Sequence, residues 1–166
     1  MCIYITELLS KNLYSSEERN MLARANIISE AVSDNWSDYK FEITEGDSYN
    51  WLEDIVNGGV AGSAIRGILT DSSYMVIYDT NTDENLEGKV LMRDAIKSAL
   101  GGKQAWMVLR SESGTKLMCA AVPIQVGDEY TGVVYLTASA EHIIAIINSV
   151  RKLNNYEYGF RKHRRS

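Results

Sequence analysis

The spacing closest to a chemical motif is the alternation of oxygen-bearing side chains at Asp79, Asn81, Asp83, Asn85 and Glu87. Calcium loops place ligands at alternate positions, turn sharply on a Gly at the sixth and close on a bidentate Glu at the twelfth. Here those two positions hold Glu84 and Val90, so the loop lacks both its hinge and its closing ligand. A solvated polar loop is the reading this supports; weak cation binding by Asp79, Asn81 and Asp83 is its alternative. The Gly-rich run Gly58-Gly59-Val60-Ala61-Gly62-Ser63 invites a phosphate-loop reading, but it lacks the Lys after the second Gly and follows no strand. A flexible connection is expected there. Of the two histidines, His142 falls at the start of the last helical segment and His163 in a basic tail. Neither has the nucleophile partner that covalent catalysis needs, so no catalytic residue and no cofactor are expected.

Residues suited to binding are better represented. A strand over 103–110 puts Gln104, Trp106, Val108 and Arg110 on one face and Ala105, Met107 and Leu109 on the other. Trp106 offers a stacking surface and Arg110 a fork for a carboxylate. Tyr135 stands on a later strand and Tyr78 ends an earlier one. Tyr78, Trp106, Arg110 and Tyr135 are therefore the candidate ligand-binding set. The competing reading makes Tyr78, Trp106 and Tyr135 ordinary core aromatics.

Elements able to carry these residues follow from periodicity. Ile5, Leu8, Leu9 and Leu13, then Leu22, Ala25, Ile28 and Val32, recur at helical spacing over the first 35 residues, with no Gly or Pro between them. Residues 34–47 read as a loop. A short helix is expected over 48–56, closed by Asn57-Gly58-Gly59. The period then changes to two: strands over 64–70 and 74–78 flank Asp71-Ser72-Ser73. An amphipathic helix over 90–100 ends at Gly101-Gly102. Strands over 103–110, 117–126 and 130–137 follow, the last pair joined by Gly127-Asp128-Glu129. Ser139 is placed to cap a final helix on which Ile143, Ile146, Ile147, Val150 and Leu153 share a face. The expected fold class is α+β: a five-stranded antiparallel sheet of PAS-like order, with a long N-terminal helix, inserted helices and a C-terminal helix. One sheet face would pack helices and leave the other to bind something.

The bulk numbers bound the rest. A chain of 166 residues with 45% hydrophobic and 23% charged residues is an ordinary single globular domain. Its net charge of −5 supplies no global field for nucleic acid. Cys2 and Cys119 form no disulfide framework or Cys-x-x-Cys pair, and Cys119, inside an apolar strand, reads as a small buried hydrophobe. No apolar run reaches the roughly 20 residues of a membrane span. The chain thus reads as soluble as it stands, and also as a piece cut from a longer membrane protein. The cluster Arg161-Lys162-His163-Arg164-Arg165 reads as a disordered basic tail, with binding to nucleic acid or acidic lipid as the sharper alternative. The expected division is one domain over 1–153 and a tail over 154–166.

Several segments together resemble a known family. They are R-G-I-L-T-D at 66–71, G-K-V-L-M-R-D-A-I-K-S-A-L-G-G at 88–102, A-A-V-P-I at 120–124 and Y-T-G-V-V-Y-L-T-A-S at 130–139. They resemble extracytoplasmic PAS-like sensor domains, also called Cache domains, in the version found in WalK-type sensor histidine kinases of Gram-positive bacteria. The resemblance covers about residues 1–153. It implies a non-catalytic sensing domain on the outer face of the cell membrane, anchored by flanking membrane helices and working as a homodimer. Its signal would be a small molecule or a partner protein. Two departures stand out: neither flanking membrane helix is present, and the segment from Asn154 onward is not the apolar span the family has there. An intracellular interaction scaffold with a profilin- or roadblock-like sheet is the alternative function.

Overall fold

A computed structural model describes residues 2–36 and 50–164. Nine elements run along the chain. Helix α1 (Cys2–Asp34) and α2 (Asn50–Val60) precede strands β1 (Arg66–Asp71) and β2 (Val76–Asp79). Helix α3 (Asp94–Leu100), strands β3 (Ala105–Arg110), β4 (Lys116–Val126) and β5 (Glu129–Ser139), and helix α4 (Glu141–Arg164) complete it. The five strands form one sheet in the order β2-β1-β5-β4-β3, and every adjacent pair is antiparallel. The expected fold class holds.

Both faces of this sheet are covered, which explains why β4 reads as a nearly unbroken apolar run. Met118, Ala120, Val122 and Ile124 join one core with Met21, Ala25, Ile28 and Val32 of α1, Leu52 and Val56 of α2, and Ile143 and Ile147 of α4. Cys119 and Ala121 join a second core with Ile68, Val76, Val133, Tyr135 and the α3 residues Ala95, Ile96 and Ala99. The first face belongs to the long helices; the second lies under α3 and the loop before it. Cys119 is fully buried, as expected of a small core hydrophobe.

Four expectations need correction. Helix α2 does not stop at Asn57-Gly58-Gly59 but continues through both glycines to Val60. A Cβ on Gly59 would run into the side chain of Ile28, so that glycine serves helix packing. The unpaired carbonyls at the end of α2 are met by Arg24, whose Nη1 donates to the Gly59 carbonyl at 2.9 Å. The helix expected over 90–100 begins only at Asp94. Its first turn is replaced by an extended stretch that pairs with the free edge of β2: Val76 N donates to the Lys89 carbonyl at 2.9 Å and Leu91 N to the Tyr74 carbonyl at 2.8 Å. Edge pairing thus overrides the amphipathic pattern. On α4, Ile143 and Ile147 are buried while Ile146 and Leu153 are exposed, so the expected apolar face packs over its first half only. Finally, α4 runs on through Arg164, making the segment from Asn154 helical instead of disordered. The loop expected over 34–47 lies outside the described residues from position 37; Trp36, just past α1, is buried.

Candidate functional site: a cavity under the third helix

A cavity of about 230 Å³ opens on the second face of the sheet. Its floor comes from β1, β4 and β5 through Ile68, Leu117, Cys119, Tyr135 and Thr137. These positions meet by register: Ile68 and Ala121 stand opposite Tyr135, and Cys119 opposite Thr137. Leu86 and Leu91 wall one side, from the loop and the extended stretch that precede α3. Leu109 to Glu112 close the far end, where β3 turns towards β4. Five aliphatic side chains share the lining with three arginines, Glu112 and the hydroxyl and thiol groups of the floor, so the cavity is mixed in character and basic in balance.

At the floor, the Tyr135 hydroxyl and the Cys119 thiol lie close enough to influence each other's protonation. Burial pushes both above their ordinary pKa values, and for Tyr135 the neighbouring Cys119 adds to the rise. Both groups are therefore neutral at physiological pH and act as dipoles, not charges. Arg93 is the one group at the cavity whose positive charge reaches both of them. It occupies the N-cap position of α3 in an extended conformation, and its side chain makes no capping bond. Among the described residues its guanidinium has no carboxylate partner.

Arg66 is bound up differently. Its Nε donates to Asp79 Oδ1 at 2.9 Å and its Nη2 to Asp79 Oδ2 at 2.6 Å, a bidentate pair. The same Nη2 donates to the Glu84 carbonyl at 2.7 Å. Asp79 also accepts from the amides of Asn81, at 3.0 Å, and Leu86, at 2.9 Å. Burial alone would raise the Asp79 carboxyl; Arg66 and the two amides outweigh it and hold the pKa below its ordinary value. The polar loop after β2 is thereby wound around one carboxylate, and Leu86 is carried to the cavity wall.

The same loop carries the cation candidates Asp79, Asn81 and Asp83. The Asp79 oxygens face N–H donors, and Asn81 Oδ1 accepts from the amides of Asp83 and Glu84 at 3.0 and 3.2 Å. The oxygens of Asp79 and of Asn81 are thus occupied by N–H donors. No group of three or more His, Cys, Asp or Glu gathers among the described residues.

The four candidate binding residues separate. Tyr135 lies on the cavity floor. Arg110 borders the far end, with its Nη1 donating to the Gly114 carbonyl at 3.3 Å. Trp106 and Tyr78 pack with the other core, on the face of the long helices. The Tyr78 hydroxyl donates to Asn57 Oδ1 of α2 at 3.1 Å. Sequence reasoning missed Arg66, Arg93 and Leu86. Alternation along β1 groups Arg66 with Ile68 and so carried a usable signal; nothing in the local pattern marks Arg93, because its position depends on where α3 begins.

The same fold occurs in solved sensor domains. One is the ligand-binding domain of the Pseudomonas aeruginosa PAO1 amino acid chemoreceptor PctC in complex with GABA. It superposes with a TM-score of 0.65 at 17% identity, over 91% of this chain and 65% of that one. The sensory domain of the Campylobacter jejuni chemoreceptor Tlp3 with isoleucine bound gives 0.64 at 12% identity, over 88% and 60%. The sensor domain of the Vibrio cholerae histidine kinase DctB gives 0.56 at 17% identity, over 79% and 54%. The chain thus spans between half and two thirds of the length of these structures. No protein-family model and no curated protein sequence matches it. The fold is that of Cache/PAS-like sensor domains of histidine kinases and chemoreceptors.

Proposed function

We propose that this chain is the extracytoplasmic sensing domain of a membrane-anchored receptor, and that it takes a small molecule with an anionic group into the cavity under α3. The observation that carries this is the Arg93 guanidinium, without a carboxylate partner among the described residues, beside a cavity that joins an aliphatic patch to neutral Tyr135 and Cys119 on its floor. A carboxylate would pair with Arg93 at the rim. The rest of the ligand would cover Ile68, Leu86, Leu91 and Leu117. The likeness to sensor domains with GABA or isoleucine bound supports the small-molecule class. The resemblance of residues 66–71, 88–102, 120–124 and 130–139 to WalK-type sequences favours a histidine kinase as the parent protein.

Binding, not turnover, is the function proposed. β5 forms the cavity floor and leads into α4 through Ser139, whose Oγ accepts from the Glu141 amide at 3.2 Å. A ligand that prefers one setting of β5 would shift the population of α4 positions in proportion to that preference. The outward face of α1 carries exposed Tyr4, Ile5, Leu8 and Ile27, a surface suited to a second copy.

A thermal-unfolding panel of amino acids, monocarboxylates and dicarboxylates tests the proposal. A ligand at a hundredfold excess over its Kd raises the midpoint by about 8 °C. Arg93→Ala weakens that ligand roughly tenfold to a hundredfold, the scale of a charged hydrogen bond. A hit whose affinity is indifferent to Arg93 would remove the site from consideration.

A further inference from the structure

From Asn155 onward every described side chain of α4 is exposed. Beyond Ile147 no described side chain of the helix is buried. Leu153, Tyr156 and Phe160 are 67%, 80% and 58% exposed. They recur at i, i+3 and i+7 and so form one stripe. Arg151, Lys152, Arg161, Lys162 and Arg164 crowd the same turns against one carboxylate, Glu157. The Arg164 guanidinium lies over the Phe160 ring, 5.2 Å from its centroid. In a chain of net charge −5, this end reverses the sign of the whole.

We propose that the last turns of α4 dock on an anionic phospholipid surface. Leu153, Tyr156 and Phe160 enter the headgroup boundary, and the flanking cations pair with lipid phosphates. An apolar and aromatic stripe edged by Lys and Arg is the composition of a helix held at that boundary. Tyr suits it further, with an apolar ring and a hydroxyl that stays wet. The helix lies on the surface and does not cross it, because no described helix is long and apolar enough to span a membrane. A second copy fits the stripe poorly: a two-fold contact there would set identical cation clusters against each other. Nucleic acid fits it poorly as well, since a phosphate backbone covers neither Leu153 nor Phe160 and the acidic remainder of the chain opposes it.

Co-sedimentation of the whole chain with vesicles tests the docking. Phosphatidylcholine vesicles and phosphatidylcholine vesicles containing phosphatidylglycerol are compared at low and high salt. The chain partitions onto the anionic vesicles, weakly or not at all onto the neutral ones, and salt releases it. Arg161→Gln, Lys162→Gln and Arg164→Gln together weaken partitioning roughly a hundredfold, given the share of each cation near a charged surface. Tyr156→Ser with Phe160→Ser weakens it at least about tenfold through lost apolar burial. Both variants keep the wild-type thermal midpoint, because every replaced side chain is exposed. Four results would overturn the proposal: no binding to anionic vesicles, equal binding to both compositions, binding that neither variant changes, or tighter binding to duplex DNA than to the anionic vesicles. Loss of self-association in these variants, with vesicle binding intact, would give the stripe to a second copy instead.

Discussion

At the scale of single residues, Asp79 has the most to lose. Its side chain is fully buried, and four donors converge on it from Arg66 and the amides of Asn81 and Leu86. Asp79→Asn leaves Arg66 without its counter-charge and is expected to cost about 3 kcal/mol, the usual loss when one partner of a buried pair is removed. The pH dependence has a definite sign. The folded-state pKa lies below the ordinary 3.8, so the stabilisation is complete above that value and is lost as pH falls through the lowered one. Urea unfolding at neutral pH should therefore separate wild type from Asp79→Asn clearly, and the gap should narrow in acid. A gap that stays constant with pH would mean that packing, not charge, sets the difference. The identity of Asp79 was plain in the sequence, but its role was not. Alternating oxygens read as a solvated loop, with cation binding as the alternative, whereas the folded loop turns the Asp79 and Asn81 oxygens onto N–H groups that only the backbone path brings near.

At the scale of elements, two adjacent glycines in α2 make opposite predictions. Gly58 has open space where a Cβ would stand, and Gly59 has Ile28. Gly58→Ala should stabilise by about 0.5–1 kcal/mol, the ordinary helical gain. Gly59→Ala should destabilise by about 1–3 kcal/mol, because it overpacks the contact with α1. Chemical denaturation of the two variants side by side measures both signs; stabilisation by both would mean that α2 does not lie against Ile28. This pair also shows what was legible. Strands and long helices came through because period two and period 3.6 persist over many residues, as in β4 and α1. The end of α2 and the start of α3 did not, because tertiary contacts decide them: Ile28 and Arg24 hold α2 past its glycines, and the β2 edge unwinds the first turn of α3. The division of Trp106 and Tyr78 from Tyr135 was hidden for a similar reason. Alternation says which residues share a face of one strand, but not which face the helices will cover.

At the scale of the whole molecule, the sheet separates two jobs. Its first face anchors α1, α2 and the first half of α4; its second holds the cavity, and β5 touches both through Val134 and Leu136 on one side and Val133 and Tyr135 on the other. The exposed stripe of α1 predicts association: sedimentation equilibrium should show a dimer, weakened by Ile5→Glu with Leu8→Glu, whereas a monomer at high concentration would leave that surface unexplained. Sensing through the cavity is the central claim, and amide chemical-shift mapping in solution tests it most directly, using the strongest hit from the carboxylate panel. The shifts should centre on Leu86, Arg93, Leu117, Cys119, Tyr135 and Thr137 and extend into the first turn of α4. Shifts gathered instead around Asn26, Ser29 and Gln104, in the cleft beside α1, or none from any panel member, would contradict it.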